Sequence, residues 1–287
     1  PFADYSAIPS YEIYKEIRKK TKVAISGDGA DEIFCGYKDS KIFLIRHYIN
    51  VMSQFDDDGA RLNYIYGLLN SKQKFLRYIG YLVSLFILDE GQASAMTFRG
   101  GWNQAKRKKY MSSRGYKLTG GGEIEDKEMK DYLSSGKNPL ERYLNYELKK
   151  LTHDFLVKVD RTSMANSLEV RSPFLDTAMV KNINGASYRN MLDLGNTKKE
   201  LKKLLNSKGL NKLTRVKKQG FTPPLEKWMT SKTGLDELEK VKNNQLIREL
   251  FDISKLSEMT NTVNDVKHHK ARLWNLMLLS EWHSRNY

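Results

Sequence analysis

The feature that most constrains the fold is a glycine-rich, acidic turn that directly follows a short β-prone segment. Residues 21–25 read TKVAI, and residues 26–37 read SGDGADEIFCGY. Ahead of them, apolar residues recur at helical spacing from Ile13 to Ile17, with Ser10 as the expected N-cap. Helix, strand, glycine-rich turn and helix is an order typical of α/β units. We therefore predict an α/β fold with a parallel sheet near this turn.

The pattern after Gly36 is mostly helical. The stretch Arg99–Lys127 is rich in glycine and lysine and is the expected surface loop, whereas Lys217–Trp228 (KKQGFTPPLEKW) breaks the helical pattern with a glycine and two prolines. The apolar segment ARLWNLMLLSEW, residues 271–282, is predicted to be a packed helix. The adjacent His268 and His269 are expected at the surface.

The amino-acid composition limits the classes of protein to which this chain can belong. The chain has 287 residues, of which 40% are hydrophobic and 29% are charged, as in soluble globular proteins. Its net charge of +15 favours anionic partners such as nucleotides or nucleic acid. The single cysteine, Cys35, excludes an internal disulfide and fits a reducing, cytoplasmic location. The apolar stretch 78–88 is shorter than the roughly 18 residues that span a membrane, so no membrane partner is expected.

The acidic turn has the composition of a nucleotide site. Gly27 and Gly29 would let the backbone approach a bound group, Ser26 could hydrogen-bond it, and a helix starting near Ala30 would direct its positive end at phosphate. Asp28 would repel phosphate directly.

Carboxylates beside phosphate favour a bound Mg²⁺, and Asp31 is the second candidate acid of this turn. The alternative is an ordinary Asp-Gly turn, followed by acidic residues that stabilise the first turn of a helix. Spacing alone does not decide between the two.

Two further segments mix charge with apolar residues. The segment HDFLVKVDRTSMANSLEVRSPFLD, residues 153–176, implies partly buried ion pairs, and we interpret Glu169, Arg171 and Asp176 as a structural network. The basic segment 215–221 could hold phosphoryl charge or could be a solvated loop.

These segments, in this order, resemble the synthetase domain of the asparagine synthetase family. The resemblance rests on PFADYSAIP, KVAISGDGADEIFCGY, NPLERYL, LVKVDRTSMANSLEVRSPFLD, KKQGFTPPLEKW and the terminal LWNLMLLSEW. It implies part of a Rossmann-like sheet of the adenine-nucleotide-hydrolase type. Residues 1–40 would be the end of this sheet, and residues 41–287 a mainly helical portion.

The resemblance also implies a reaction. ATP and Mg²⁺ would activate a carboxylate, aspartate in the namesake enzymes, as an acyl-adenylate with release of pyrophosphate. Ammonia, released from glutamine by a separate N-terminal domain, would then displace AMP. Relatives that resemble β-lactam synthetases, or amidotransferases with other substrates, use the same adenylation scaffold, so the carboxylate stays open. A homodimer is compatible with this reading.

Site residues follow from the resemblance position by position. Ser26, Gly27 and Gly29 would contact ATP, Asp28 stands where members carry a glutamate linked to adenylate chemistry, and Asp31 would bind Mg²⁺. A second group would complete the site. Lys218, or Lys217 in the alternative register, would hold pyrophosphate, and Asp154 and Lys158 would line the pocket.

The chain departs from the family pattern in two ways. It contains no SGG-x-DS pyrophosphate loop and no glutaminase domain with a leading cysteine nucleophile, a role that Cys35 cannot take. We therefore expect a C-terminal part of a longer protein that does not catalyse by itself.

Two alternatives are a non-catalytic interaction fragment and a basic nucleic-acid-binding protein. Scattered lysines and arginines without a reader motif argue against nucleic acid.

Overall fold

The structure, a computed structural model, describes the following residues of the chain: 3–37, 39–44, 102, 104–121, 123–136, 139–184, 188–193, 195–214, 216 and 220–287. Its regular elements are mostly helices, together with one small parallel sheet of two strands. This confirms the α/β class in its mostly helical form.

The first elements follow the predicted order: α1 (Ala7–Arg18), β1 (Val23–Ile25) and α2 (Ala30–Ile33). The prediction that Ser10 caps α1 is wrong, because the helix starts three residues earlier and Ser10 is buried inside it. Pro9 is tolerated there, since a backbone N–H in the first turn of a helix has no intrahelical partner to lose. Asp4 organises this start by accepting hydrogen bonds from the Ser6 N–H and hydroxyl, both at 2.8 Å.

The sheet joins distant parts of the chain. Strand β2 (Glu169–Arg171) pairs in parallel with β1, with Val23 opposite Glu169 and Ile25 opposite Arg171. The pairing continues past the strand, because the Ser26 N–H donates to the Arg171 carbonyl oxygen at 2.8 Å. Both strands therefore end at the same edge, and the residues that follow them emerge side by side.

Between α2 and β2, the helices whose bounds the structure describes are α3 (Gln104–Tyr110), α4 (Ser113–Leu118), α5 (Glu123–Leu133), α6 (Pro139–Lys150) and α7 (Leu156–Met164), the last two joined by a π-helical turn at Leu151–Phe155. The predicted surface loop over 99–127 is wrong for the described residues. Tyr110 and Met111 pack in a core, and the Ser112 hydroxyl caps α4 by accepting from the Gly115 N–H. Composition missed these helices because their stability comes from packing rather than from propensity.

The elements after β2 are also helical: a 3₁₀ turn at Pro173–Leu175, α8 (Thr177–Asn184), a 3₁₀ turn at Tyr188–Asn190, α9 (Lys199–Ser207), α10 (Asn211–Thr214), α11 (Leu225–Met229), α12 (Lys232–Asn243), α13 (Gln245–Leu250), α14 (Ile253–Ser257) and α15 (Val263–Asn286). The predicted helix over 271–282 is confirmed inside α15, where Leu273 and Leu276 are buried. None of the helices in the described ranges is both long and apolar enough to cross a bilayer.

In the part of the chain that the structure describes, buried apolar side chains form two clusters. The C-terminal core combines α3, α11–α15 and their connections, with Ile247 and Met259 fully buried. The site-side core contains Cys35, next to α2, and the stacked rings of Phe43 and Tyr143, whose centroids are 4.2 Å apart. The second core therefore supports the segment that follows the acidic turn.

The expectation that both adjacent histidines are at the surface is wrong for His269. It is 4% exposed, and its Nδ1 accepts a hydrogen bond from Arg272 Nε at 3.1 Å. On a helix His269 shares one face with Val266, Leu273 and Leu276, all of which are buried. The burial follows from helical spacing applied to the whole of α15.

Candidate functional site

The candidate site is built on the shared edge of the two strands. Ser26 follows β1 and Ser172 follows β2, and their hydroxyl oxygens are 2.9 Å apart. The Ser26 hydroxyl also donates to Asp28 Oδ2 at 2.7 Å. In open α/β sheets the carboxyl ends of the strands are where ligands bind, so this edge is the natural place for one.

Two glycines in the turn differ in what surrounds them. A Cβ atom added at Gly27 would meet no atom of the described chain within 4 Å, so the backbone there is open to an approaching group. Gly29 has φ +86°, and a Cβ there would lie 2.2 Å from Leu175 Cδ2. Gly29 is therefore required by the turn and its packing, whereas the fold itself makes no such demand at Gly27.

Asp28 acts electrostatically on its surroundings. Burial and the negative charge of Asp28 together raise the pKa of the Tyr14 phenol to about 12. The carboxylate is therefore close enough to α1 to oppose ionisation of Tyr14. It is held toward the turn by its hydrogen bond from Ser26.

Asp31 lies on α2 and forms an ion pair that the sequence did not predict. Lys198 Nζ is 2.7 Å from Asp31 Oδ1, and the two side chains are 28% and 22% exposed. Gly36 makes room for the pair, since a Cβ there would lie 1.9 Å from Asp31 Oδ1. A cation is thus already placed against the carboxylate that the resemblance assigns to Mg²⁺.

Helix α2 begins at Ala30 as predicted, but it has only four residues. A helix this short has only a small macrodipole. The predicted attraction of phosphate to its N-terminus is therefore weak. The backbone opening at Gly27 and the charges around Asp31 are the features that remain.

Lys158 is oriented toward the N-terminal segment. Its side chain is 5% exposed, and Nζ lies 3.2 Å from Asp4 Oδ2 and donates to Ser6 Oγ at 2.8 Å. It also lies 3.8 Å from the centroid of the Phe155 ring, a cation–π distance. The contacts of Lys158 therefore stabilise the start of α1 against α7.

Three predicted site side chains lie outside the described residues. Lys217 and Lys218 are outside the described ranges altogether, and the backbone of Asp154 lies in the π-helical turn while its side chain is not described. Their places in the site remain predictions.

The prediction that Glu169, Arg171 and Asp176 form a partly buried ion-pair network is wrong. Arg171 Nε and Glu169 Oε1 are 2.8 Å apart, but both side chains are more than half exposed. Asp176 instead caps α8 by accepting from the Ala178 N–H at 2.9 Å. A strand of three residues with one neighbour covers too little area to bury these side chains.

Sequence reasoning missed Lys198, Tyr14 and Ser172. Ser172 was missed because only the pairing of β2 with β1 places it beside Ser26. Lys198 is an unusual N-cap residue for α9, and this was a weak sequence signal. A lysine side chain cannot accept a hydrogen bond from the first N–H groups of the helix, and its positive charge is unfavourable at the positive end of the macrodipole.

The donor set can be compared with what Mg²⁺ requires. No group of three or more His, Cys, Asp or Glu side chains that could hold a metal occurs among the described residues. Mg²⁺ usually takes one or two protein carboxylates and completes its shell with phosphate and water. Asp31 has a mostly covered side chain that is already paired with a cation, and it fits that limited role.

Comparison with known proteins identifies relatives along the whole chain. The family described as Asparagine synthase matches residues 1–284. Asparagine synthetase (glutamine-hydrolyzing) 1 of Bacillus subtilis is 23% identical over 307 residues, covering 100% of this chain and 44% of the relative. A Mycobacterium tuberculosis protein named "Putative asparagine synthetase (glutamine-hydrolyzing)" is 25% identical over 297 residues, covering 99% of this chain and 42% of the relative. The chain thus spans less than half the length of these relatives.

Proposed function

The chain belongs to the asparagine synthase family, and we propose that it carries the carboxylate-activating site of an ATP-dependent, amide-forming ligase. The observation that supports this most directly is the edge formed by Ser26 and Ser172, beside the open backbone at Gly27. Such an edge, at the carboxyl ends of two parallel strands, suits a nucleotide. We further propose that the sheet is part of a Rossmann-like, adenine-nucleotide-hydrolase-type sheet.

We propose that the turn holds ATP through Ser26, Gly27 and Gly29. Asp28 would act at the reacting carboxyl and phosphoryl groups, and its position is restrained by Ser26. A carboxylate that attacks the α-phosphate brings two anions together, so the protein's task is mainly positioning and charge neutralisation. The products of this step would be an acyl-adenylate and pyrophosphate, after which ammonia displaces AMP.

Charge neutralisation would come from cations around the phosphates. Asp31 is the carboxylate that would hold Mg²⁺, which, when bound, would neutralise phosphate oxygens. Lys218, or Lys217 if the register is shifted, would hold pyrophosphate, and Asp154 and Lys158 would line the pocket. In this structure the Lys158 ammonium is engaged with Asp4, at 3.2 Å from Oδ2.

We propose that the activity resides in a longer protein, of which residues 1–287 form one part. The share of the relatives that the chain spans supports this, because more than half of their length lies outside the match. A glutaminase domain in that remainder would supply ammonia, and the 287-residue chain alone would be inactive. The cysteine content fits a cytoplasmic protein.

The proposed substrate is the side-chain carboxylate of aspartate, and a different carboxylate is the second candidate. The test is carboxylate-dependent exchange between ATP and pyrophosphate, measured on the full-length protein with aspartate and then with other carboxylates. Exchange with aspartate supports an asparagine-forming ligase. Exchange only with another carboxylate identifies a specialised amide-forming branch, and exchange with none rejects adenylation.

We expect Asp31→Asn to reduce this exchange at least about 100-fold, because removing a metal-binding carboxylate leaves the phosphate charge without its counter-ion. Asp236→Asn is the matched control, since it removes the same charge from an exposed position on α12. Exchange that persists unchanged in Asp31→Asn would reject the assignment of Asp31.

A further inference from the structure

We propose that the Lys198 ammonium is an internal counter-ion that occupies the Asp31 carboxylate until a divalent cation displaces it. The inference rests on the proposed function, because it takes Asp31 as a metal ligand. It adds a residue, Lys198, that determines how readily the site accepts a metal ion.

The contact is close and only partly screened by water. Lys198 Nζ and Asp31 Oδ1 are 2.7 Å apart, and about three quarters of each side chain is covered. Screening by solvent is weaker for such a pair than for an exposed one. The ammonium therefore neutralises much of the charge that would otherwise attract a metal ion.

The backbone that places this lysine is strained. Lys198 has φ 54° and ψ 39°, the left-handed conformation that a residue with a side chain rarely adopts. Three non-glycine residues in the described ranges have positive φ, and two of them are Lys198, which forms the ion pair, and Cys35, which precedes Gly36 beside it. The Lys198 N–H donates to the Phe34 carbonyl oxygen at 3.2 Å, which ties the two strained positions together. Strain of this kind tends to be kept where function needs it.

Gly36 shapes the space in which the two side chains meet. A Cβ atom at Gly36 would lie 1.9 Å from Asp31 Oδ1 and 2.2 Å from Lys198 Cε. The Gly36 N–H also donates to the Asp31 carbonyl oxygen at 2.7 Å. The loop from Phe34 to Gly36 thus encloses the ion pair from one side.

A metal ion and the ammonium would compete for the same carboxylate. Mg²⁺ binds oxygen at about 2.0–2.1 Å, so an ion on Oδ1 would lie within repulsive range of an ammonium 2.7 Å from that atom. The lysine side chain has four rotatable methylene groups and can move away without a change in the backbone. Exchange of one cation for the other therefore requires only a side-chain movement.

The experiment measures binding of Mn²⁺, as a spectroscopic substitute for Mg²⁺, to the full-length protein without nucleotide, by electron paramagnetic resonance of the free ion. We expect Lys198→Met to bind Mn²⁺ about tenfold more tightly, because the competing positive charge is gone. Lys198→Gly, which suits the left-handed backbone, should behave in the same way and covers the case in which the methionine variant fails to fold.

Lys199→Met is the matched control, since it removes the same charge one residue away. Lys199 contacts Asp193 at 3.2 Å instead, and its side chain is also 28% exposed. Unchanged or weaker Mn²⁺ binding in both Lys198 variants would overturn the inference, as would equal tightening in Lys199→Met.

Asp31→Asn separates this inference from the proposed function. If Mn²⁺ affinity is unaffected by Asp31→Asn, the metal role of Asp31 fails, and the inference fails with it. If Asp31→Asn abolishes binding while the Lys198 variants leave affinity unchanged, the proposed function stands and only the counter-ion role is rejected.

Discussion

At the scale of single residues, the acidic turn contains positions that serve the fold and positions that do not. Gly29 combines a φ of +86° with close contact to Leu175, so its lack of a side chain is a structural requirement. Gly27 has no positive φ and no such contact with the described part of the chain, which leaves the space beside it open. Gly27 is therefore a better indicator of a ligand site than Gly29. The fold does not require a glycine at position 27, whereas a bound group that approaches the backbone would need the space that a side chain would fill.

We expect Gly27→Ala to change the free energy of unfolding by less than about 0.5 kcal/mol while weakening ATP binding at least about tenfold. The physical reason is that the added methyl group meets no atom of the described residues but occupies the opening above the backbone. Urea unfolding and calorimetric titration of the full-length protein with ATP measure the two effects. Unchanged ATP affinity would remove Gly27 from the nucleotide site.

Gly29→Ala is the structural counterpart, and we expect it to destabilise the protein by about 2–4 kcal/mol through backbone strain and the clash with Leu175. Gly209→Ala is its matched control, because Gly209 has φ +74° and an added Cβ would meet none of the described atoms within 4 Å. The control should show strain alone, about 1 kcal/mol. Equal losses at both positions would mean that contact with Leu175 contributes nothing.

At the scale of elements, the parallel pairing of β1 with β2 and the packing of α1 against α7 bring the start of the chain to residues 156–171. Lys158 makes a buried polar contact across that packing. Its ammonium bridges Asp4 and Ser6, which precede α1. The same side chain is a candidate for the nucleotide pocket, so a structural and a catalytic role have to be separated experimentally.

We expect Lys158→Met to increase hydrogen exchange in residues 4–10 and to destabilise the protein by about 1–3 kcal/mol, since Asp4 and Ser6 lose a charged partner. Lys19→Met is the control, because Lys19 pairs with Glu16 at the surface and should leave exchange unchanged. Normal protection of residues 4–10 in Lys158→Met, combined with loss of ATP–pyrophosphate exchange, would contradict the structural role and favour the catalytic one.

At the scale of the whole molecule, the reactivity of the Cys35 thiol shows whether the site-side core is folded. Cys35 is the single cysteine of the chain and is fully buried, and burial raises its thiol pKa to about 12. The folded state therefore holds the thiol proton more tightly than the unfolded state. The resulting stabilisation is fully present below pH 9 and is lost as the pH rises toward 12.

We expect iodoacetamide to alkylate Cys35 in the native protein at pH 8 at least about 100-fold more slowly than in urea, because the reactive thiolate forms only when the core opens. The rate should rise in step with unfolding as urea is increased. Cys35→Ser provides the blank for the mass-spectrometric assay. Rapid alkylation without denaturant would show that this core opens independently of global unfolding.

Sequence reasoning reached the features that depend on local order along the chain. The strand before Ser26, the turn after it, the start of α2 and the apolar helix within α15 follow from spacing and residue type. The resemblance of several segments also led to the family that the comparison shows. Each of these inferences uses residues that are neighbours in sequence, where periodicity and motifs carry information.

Tertiary structure decided which distant residues meet. Lys198 reaches Asp31, and Lys158 reaches Asp4, although no local pattern relates either pair. Burial of Tyr110 likewise turned an expected loop into helices, because the apolar area covered by the C-terminal core outweighs weak local propensity. The order of neighbouring residues was enough to predict the motifs and the family of this chain. The ion pairs and the cores depend on how distant segments pack against one another, and only the tertiary structure decides this.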